Sequence, residues 1–127
     1  MLRIIAARAR GAMPGFQPAT LLRMHICERD RYEGKPLLDR ILEKCREFHV
    51  AKATAVRGLG RYGAASEIHR ARPLVHNLPV VITIIDAPEK SDRLIPEMQT
   101  MMDAGVIAIS RVEALVVNRQ AQTRHAS

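Results

Sequence analysis

Apolar and polar residues along this chain follow two rhythms, and the changes from one to the other mark out its elements. From Leu21 to Cys27 the run LLRMHIC alternates, with Leu22, Met24 and Ile26 on one side and Arg23 and His25 on the other. A period of two with one apolar face predicts a strand. Pro36 then suits the first turn of a helix, where its missing N–H would have had no partner. Leu37, Leu38, Ile41, Leu42, Cys45 and Phe48 recur at helical spacing, opposite Asp39, Arg40, Glu43, Lys44 and Glu47. That is the pattern of an amphipathic helix.

Ala53 to Arg57 is a run of small and β-branched residues entering the glycine cluster GLGRYG at residues 58–63, which predicts a second strand with a bend or a close backbone approach at its end. PVVITIID at residues 79–86 is apolar on both sides, Val80, Ile82 and Ile84 on one and Val81, Thr83 and Ile85 on the other. Both faces of this third strand therefore need cover, and in a chain this short a neighbouring copy is the natural cover for the second. Asp86, Pro88 and Glu89 suggest an N-cap and first turn, followed by the apolar stripe Leu94, Ile95, Met98, Met101 and Met102, with Gly105 as a left-handed terminator. Pro96 conflicts with that helix, because an interior proline costs about 3 kcal/mol; the helix is expected to start later or to bend. A last strand is expected from Ile109 to Val117, with Val112, Ala114 and Val116 alternating against Arg111, Glu113 and Leu115.

Strand, helix, strand, strand, helix, strand is the split βαβ order, βαββαβ, of a ferredoxin-like α+β sandwich. The fold hosts many functions, so function has to come from a site. The expected organisation is an Arg-rich flexible leader over residues 1–19, one domain over 20–117 and a flexible basic tail over 118–127. With 127 residues, 47% of them hydrophobic, one real core is affordable and two domains are not.

The formal charge of +7 invites a nucleic-acid reading, but Arg3, Arg8, Arg10, Arg119 and Arg124 lie in the two ends with no acid beside them, which leaves +2 for residues 21–117. Aromatic residues make up 3% of the chain and Trp is absent, so stacking platforms for bases are few. No nucleic-acid partner is expected. No run approaches the ~18 apolar residues of a membrane span, and a cytoplasmic location follows as the expectation. Cys27 and Cys45 read as reduced, buried thiols, and neither has the close pairing with Cys or His that a metal site needs.

Taken together and in order, LLRMHICERDRYEGKPL, ATAVRGLGRYG, a spacer ending in EIHRAR, LPVVITIID and Gly105 resemble the PII-like family catalogued as DUF one-ninety, over residues 21–117. The resemblance implies a ferredoxin-like homotrimer in a signalling or regulatory role. It also implies ligand or partner binding at clefts between subunits and at the loop joining the second and third strands. A regulated protein such as a membrane transporter would be its partner. Two departures stand out. Arg61 occupies a place where this branch commonly has glycine, and the glycine-rich phosphate cradle that PII proteins carry after the second helix is reduced here to DAGVIAIS.

Residues 57–76 gather Arg57, Arg61, Arg70 and Arg72 with His69 and His76 against one acid, Glu67. Arginine forks take phosphate or carboxylate oxygens in pairs, so a small anion, with adenine nucleotides among the candidates, is the expected ligand. The expected binding set is Arg57, Gly58, Arg61, Gly63, His69 and Arg72, with no catalytic residue, metal or cofactor. Solvated loops are also commonly charged, which is the plainer account of the same residues. Gly58-Leu-Gly60-Arg-Tyr-Gly63 is formally GxGxxG, but AASEIHRARP is too short before Pro73 to be a crossover helix, and the dinucleotide reading fails. Glu28 and Asp30 are expected to serve the structure rather than a cation. The competing function is a small cleft enzyme, an isomerase or hydrolase, with His69 as base and Glu28 or Asp86 nearby; no nucleophile elbow or metal set supports it. An RNA-recognition module would need aromatics where Val81, Thr83 and Ile85 stand.

Overall fold

The computed structural model describes residues 13–59 and 77–118. Among the described residues eight elements follow one another: β1 (Gln17–Cys27), β2 (Arg31–Tyr32), β3 (Lys35–Pro36), α1 (Leu37–Glu47), β4 (Lys52–Arg57), β5 (Pro79–Asp86), α2 (Pro88–Met101) and β6 (Val106–Ala114). The four long strands form one sheet in the order β4-β5-β1-β6, and every neighbouring pair is antiparallel. β5 is thus inserted between β1 and β4, the two strands that α1 connects. This is the ferredoxin-like arrangement expected from the element order.

The alternation of β1 and β5 decides where the core sits. Met24 pairs with Ile82 and Leu22 with Ile84, so their side chains share one face of the sheet. Leu22, Met24, Ile82 and Ile84 are fully buried there with Leu37, Ile41 and Cys45 of α1 and Leu94, Met98 and Met101 of α2. Each such side chain contributes about 1.5–3 kcal/mol by leaving water. The salt bridge Lys44–Glu97, 3.4 Å, joins the two helices on the surface, where such a pair adds little.

Cys45 is buried and free, as expected, whereas Cys27 is only half-buried. Burial pushes the Cys45 thiol up to about 11 from its ordinary 9.0, against a smaller pull from Arg46. The folded chain keeps the proton at pH values where the unfolded chain loses it, so this thiol should subtract stability as pH rises from about 9 towards about 11. Thermal unfolding of the native protein and Cys45→Ala across pH 8–11 should show the two curves converging as pH rises. Parallel curves would contradict the shift.

Local expectations failed at several places. β1 begins at Gln17, ahead of the strand start expected at Leu21, because Gln17 and Pro18 pair with Ala114 and Glu113 of β6. Pro18 is tolerated because β5 pairs with β1 only from Thr20 onward, which leaves β6 as the one described neighbour at that position. β6 runs Val106–Ala114 and not to Val117, since Ala114 already faces the first residue of β1. α2 starts at Pro88 and continues through Pro96, whose missing bond would have reached Asp92 on the exposed side, where water can replace it. Asp86 does not cap α2: Ala87 is the N-cap residue, and the helix ends at Met101 with Met102 as its C-cap, three residues before Gly105. The segment between β1 and α1, for which no element was expected, forms the β2–β3 hairpin, turned by Glu33 and Gly34 at φ 51° and 81°.

Candidate functional site

The first residues of β5 lie between the ends of two other strands. Pro79 pairs with Cys27 at the end of β1, and Val80 pairs with Arg57 at the end of β4. Short bonds close this junction. The Gly58 N–H donates to the Pro79 carbonyl at 2.8 Å, the Glu28 N–H to the Leu78 carbonyl at 2.8 Å, and the Arg29 N–H to the Asn77 side-chain oxygen at 3.1 Å. A Cβ at position 58 would come within 2.9 Å of the Pro79 ring, so the close backbone approach expected at the end of the second strand is real. Residues 57–59 and 77–79, the two ends of the expected binding loop, are therefore fixed to each other and to the end of β1.

Arg57 stands at this junction with its guanidinium Nε 2.8 Å from a Glu28 carboxylate oxygen. The contact spans the β5 backbone, because β1 and β4 are not neighbours in the sheet. The Arg57 side chain is 62% exposed and that of Glu28 is 28% exposed. Of the expected binding residues, Arg57 and Gly58 are brought together here; Arg61, Gly63, His69 and Arg72 lie outside the described residues. Sequence reasoning missed Glu28 as the partner of Arg57 and Asn77 as a tie for β1. Opposite charges at two strand ends were the available signal, but only the strand order makes them meet.

The neighbouring acids have other work. Asp30 accepts the Cys27 N–H at 2.8 Å, and its carbonyl accepts the Leu37 N–H, so it links β1 to the start of α1. Asp86 accepts the Ala51 and Ala87 N–H groups at 2.7 Å each and lies 3.4 Å from the Lys90 ammonium. It also sits at the far end of β5, roughly 25 Å from Glu28 at about 3.3 Å per strand residue. The two acids considered for a cleft enzyme therefore do not share a site. Among the described residues no group of three or more His, Cys, Asp or Glu could hold a metal, and no described helix is long and apolar enough to cross a membrane.

The second face of the sheet is the other notable surface. Cross-strand pairing puts Val56, Val81, His25 and Val106 in one row, Thr54, Thr83, Arg23 and Ala108 in the next, and Lys52, Ile85, Leu21 and Ser110 in a third. Neither helix covers these rows. Val56 is 59% and Val106 57% exposed. Val56 lies next to Arg57, so the apolar face reaches the loop junction. A separate groove of about 370 Å³ between α1 and β4, lined by Leu42, Cys45, Arg46, His49, Val50 and Ala53, contains none of the expected binding residues.

Comparison with known proteins agrees with this architecture. The DUF190 family model, described as "Uncharacterized ACR, COG1993", matches residues 19–114. The UPF0166 protein of Aquifex aeolicus is 36% identical over 97 residues, covering 75% of this chain and 91% of the relative. A UPF0166 protein of Methanocaldococcus jannaschii is 29% identical over 97 residues, covering 72% of this chain and 87% of the relative. Among solved structures, CPII from Thiomonas intermedia K12, bound to ADP and bicarbonate, superposes with a TM-score of 0.61 at 14% identity, over 78% of this chain and 90% of that one. CutA1 of Ehrlichia chaffeensis, a divalent ion tolerance protein, superposes at 0.51 with 18% identity, over 81% and 87% of the two chains. At these identities the structural likeness speaks for the fold, while the family match and the Aquifex relative speak for descent. The chain belongs to the DUF190 family, and its fold is like that of the PII-like protein CPII.

Proposed function

We propose that the protein is a PII-like regulatory sensor without side-chain catalysis. It assembles as a homotrimer in the cytoplasm and binds a small anionic metabolite at the clefts between subunits. It passes the occupancy of those clefts to a regulated protein such as a membrane transporter. The observation that carries this reading is the uncovered apolar sheet face, which runs to Val56 at the end of β4, one residue before Arg57 and Gly58. A second copy seated on that face would meet the end of β4 at Val56, and a cleft between copies there would have Arg57 and Gly58 at its edge. Adenine nucleotides and bicarbonate are the ligands to try first, since the structurally similar CPII is bound to ADP and bicarbonate. Switching requires only that ligand bind one arrangement of the cleft better than another.

Titration calorimetry with ADP, AMP and bicarbonate tests the ligand, and silence across all three would count against the anion site. Light scattering tests the assembly. The native chain should weigh three times 14.2 kDa. Val81→Glu places a charge in the middle of the uncovered face without touching the helix-covered core, so it should yield a folded monomer. A native monomer at micromolar concentration, or a trimer that tolerates Val81→Glu, would argue against copies covering this face.

A further inference from the structure

We infer that Glu28 is an internal competitor for the ligand anion, holding Arg57 until a phosphate or carbonate oxygen displaces it. The inference rests on the reading of Arg57 as part of the anion site and adds a residue that determines its selectivity. A guanidinium 2.8 Å from a carboxylate oxygen already has an anion, and a second one approaching it meets the Glu28 charge as well as the Arg57 charge. Glu28 is the more shielded partner, at 28% exposure, so water screens its repulsion of an incoming anion incompletely. The pair is nevertheless exchangeable, because an ion pair with one largely exposed member is held weakly.

The geometry limits how the exchange can proceed. The Glu28 backbone is fixed through its N–H to Leu78, and the Gly58 backbone, next to Arg57, is fixed to Pro79. Only the two side chains are free to part. On binding, the Arg57 Nε–H leaves the Glu28 oxygen and donates to a ligand oxygen, and the Glu28 carboxylate turns to water. The side-chain tie between the end of β1 and the end of β4 is then lost, while the backbone ties of the junction remain. Ligand occupancy is thereby converted into release of one connection at the base of the β4–β5 segment. A weakly charged ligand would not displace Glu28, so the site should favour strongly anionic groups over neutral analogues.

The test is titration calorimetry of ADP and of adenosine against the full-length native protein, Glu28→Gln, Arg57→Gln and the double variant, with thermal midpoints as a check on folding. Glutamine keeps the shape of Glu28 and removes its charge. Glu28→Gln should tighten ADP binding by about two- to fivefold, about what an ion pair of this exposure contributes, and leave adenosine unchanged. The gain should vanish in the Arg57→Gln background, since the two residues act on one another. Equal or weaker ADP binding by Glu28→Gln, alongside a loss in Arg57→Gln, would overturn the competitor role and leave the anion site standing. A gain that persists without Arg57 would also overturn it. No heat from ADP with any of the four proteins would sink the anion site and the inference together.

Discussion

Gly105→Val is expected to destabilise the domain by at least about 3 kcal/mol, through two costs that act at the same position. Gly105 has φ 125°, a conformation that side chains rarely adopt, and a Cβ placed there would run into the His25 carbonyl oxygen on the neighbouring strand. His25 pairs with Val106, the first residue of β6, so the backbone cannot withdraw without unzipping the start of that pairing. The Met102 side chain, 3.0 Å from the same point, could move aside, but the strand backbone could not. Urea unfolding followed by circular dichroism is the measurement, with Gly105→Ala as the milder companion. A midpoint within error of the native protein for both variants would mean that the close approach is not rigid.

Ile82→Ala should cost about 3–4 kcal/mol, within the range for emptying a buried isoleucine site. Ile82 is wholly buried beneath the helices, and it lies on the central strand β5 opposite Met24. The surrounding side chains come from both helices and from β1, so no single segment can collapse into the space. The urea midpoint should fall while the slope stays the same, since the surface exposed on unfolding hardly changes. The contrast with its neighbour is informative. Val81→Ala, one residue earlier and on the opposite face, should change the stability of the isolated chain much less. If the two substitutions proved equally costly, the distinction between a helix-covered face and an uncovered one would be wrong.

Much of the fold was legible because its signals are local. The alternation of Leu22, Met24 and Ile26, the helical recurrence of Leu37, Ile41 and Cys45, and the continuous apolar run of β5 each reflect a burial pattern that repeats within a few residues. The misreadings fell where a distant partner overrides local preference. Pro18 fell within the expected leader and Pro96 conflicted with its helix, yet one stands where its strand has a single described neighbour and the other on the exposed side of a helix. Gly105 looked like a helix terminator because glycine commonly ends helices; its requirement comes instead from the β1 backbone beside it.

The candidate site was legible only in part. The cation-rich segment beginning at Arg57 and the glycine at its start could be singled out from composition. The partner of Arg57 could not, because Glu28 and Arg57 are separated by a helix and two strand segments along the chain. Amino-acid order alone indicated both helices, the four long strands apart from their ends, and the apolar side of each, since side-chain direction follows backbone period. The tertiary structure decided that β5 enters between β1 and β4, and with it that a carboxylate closes on the arginine expected to receive the ligand. Charge pairing depends on distances through space, and those exist only once the sheet has been ordered.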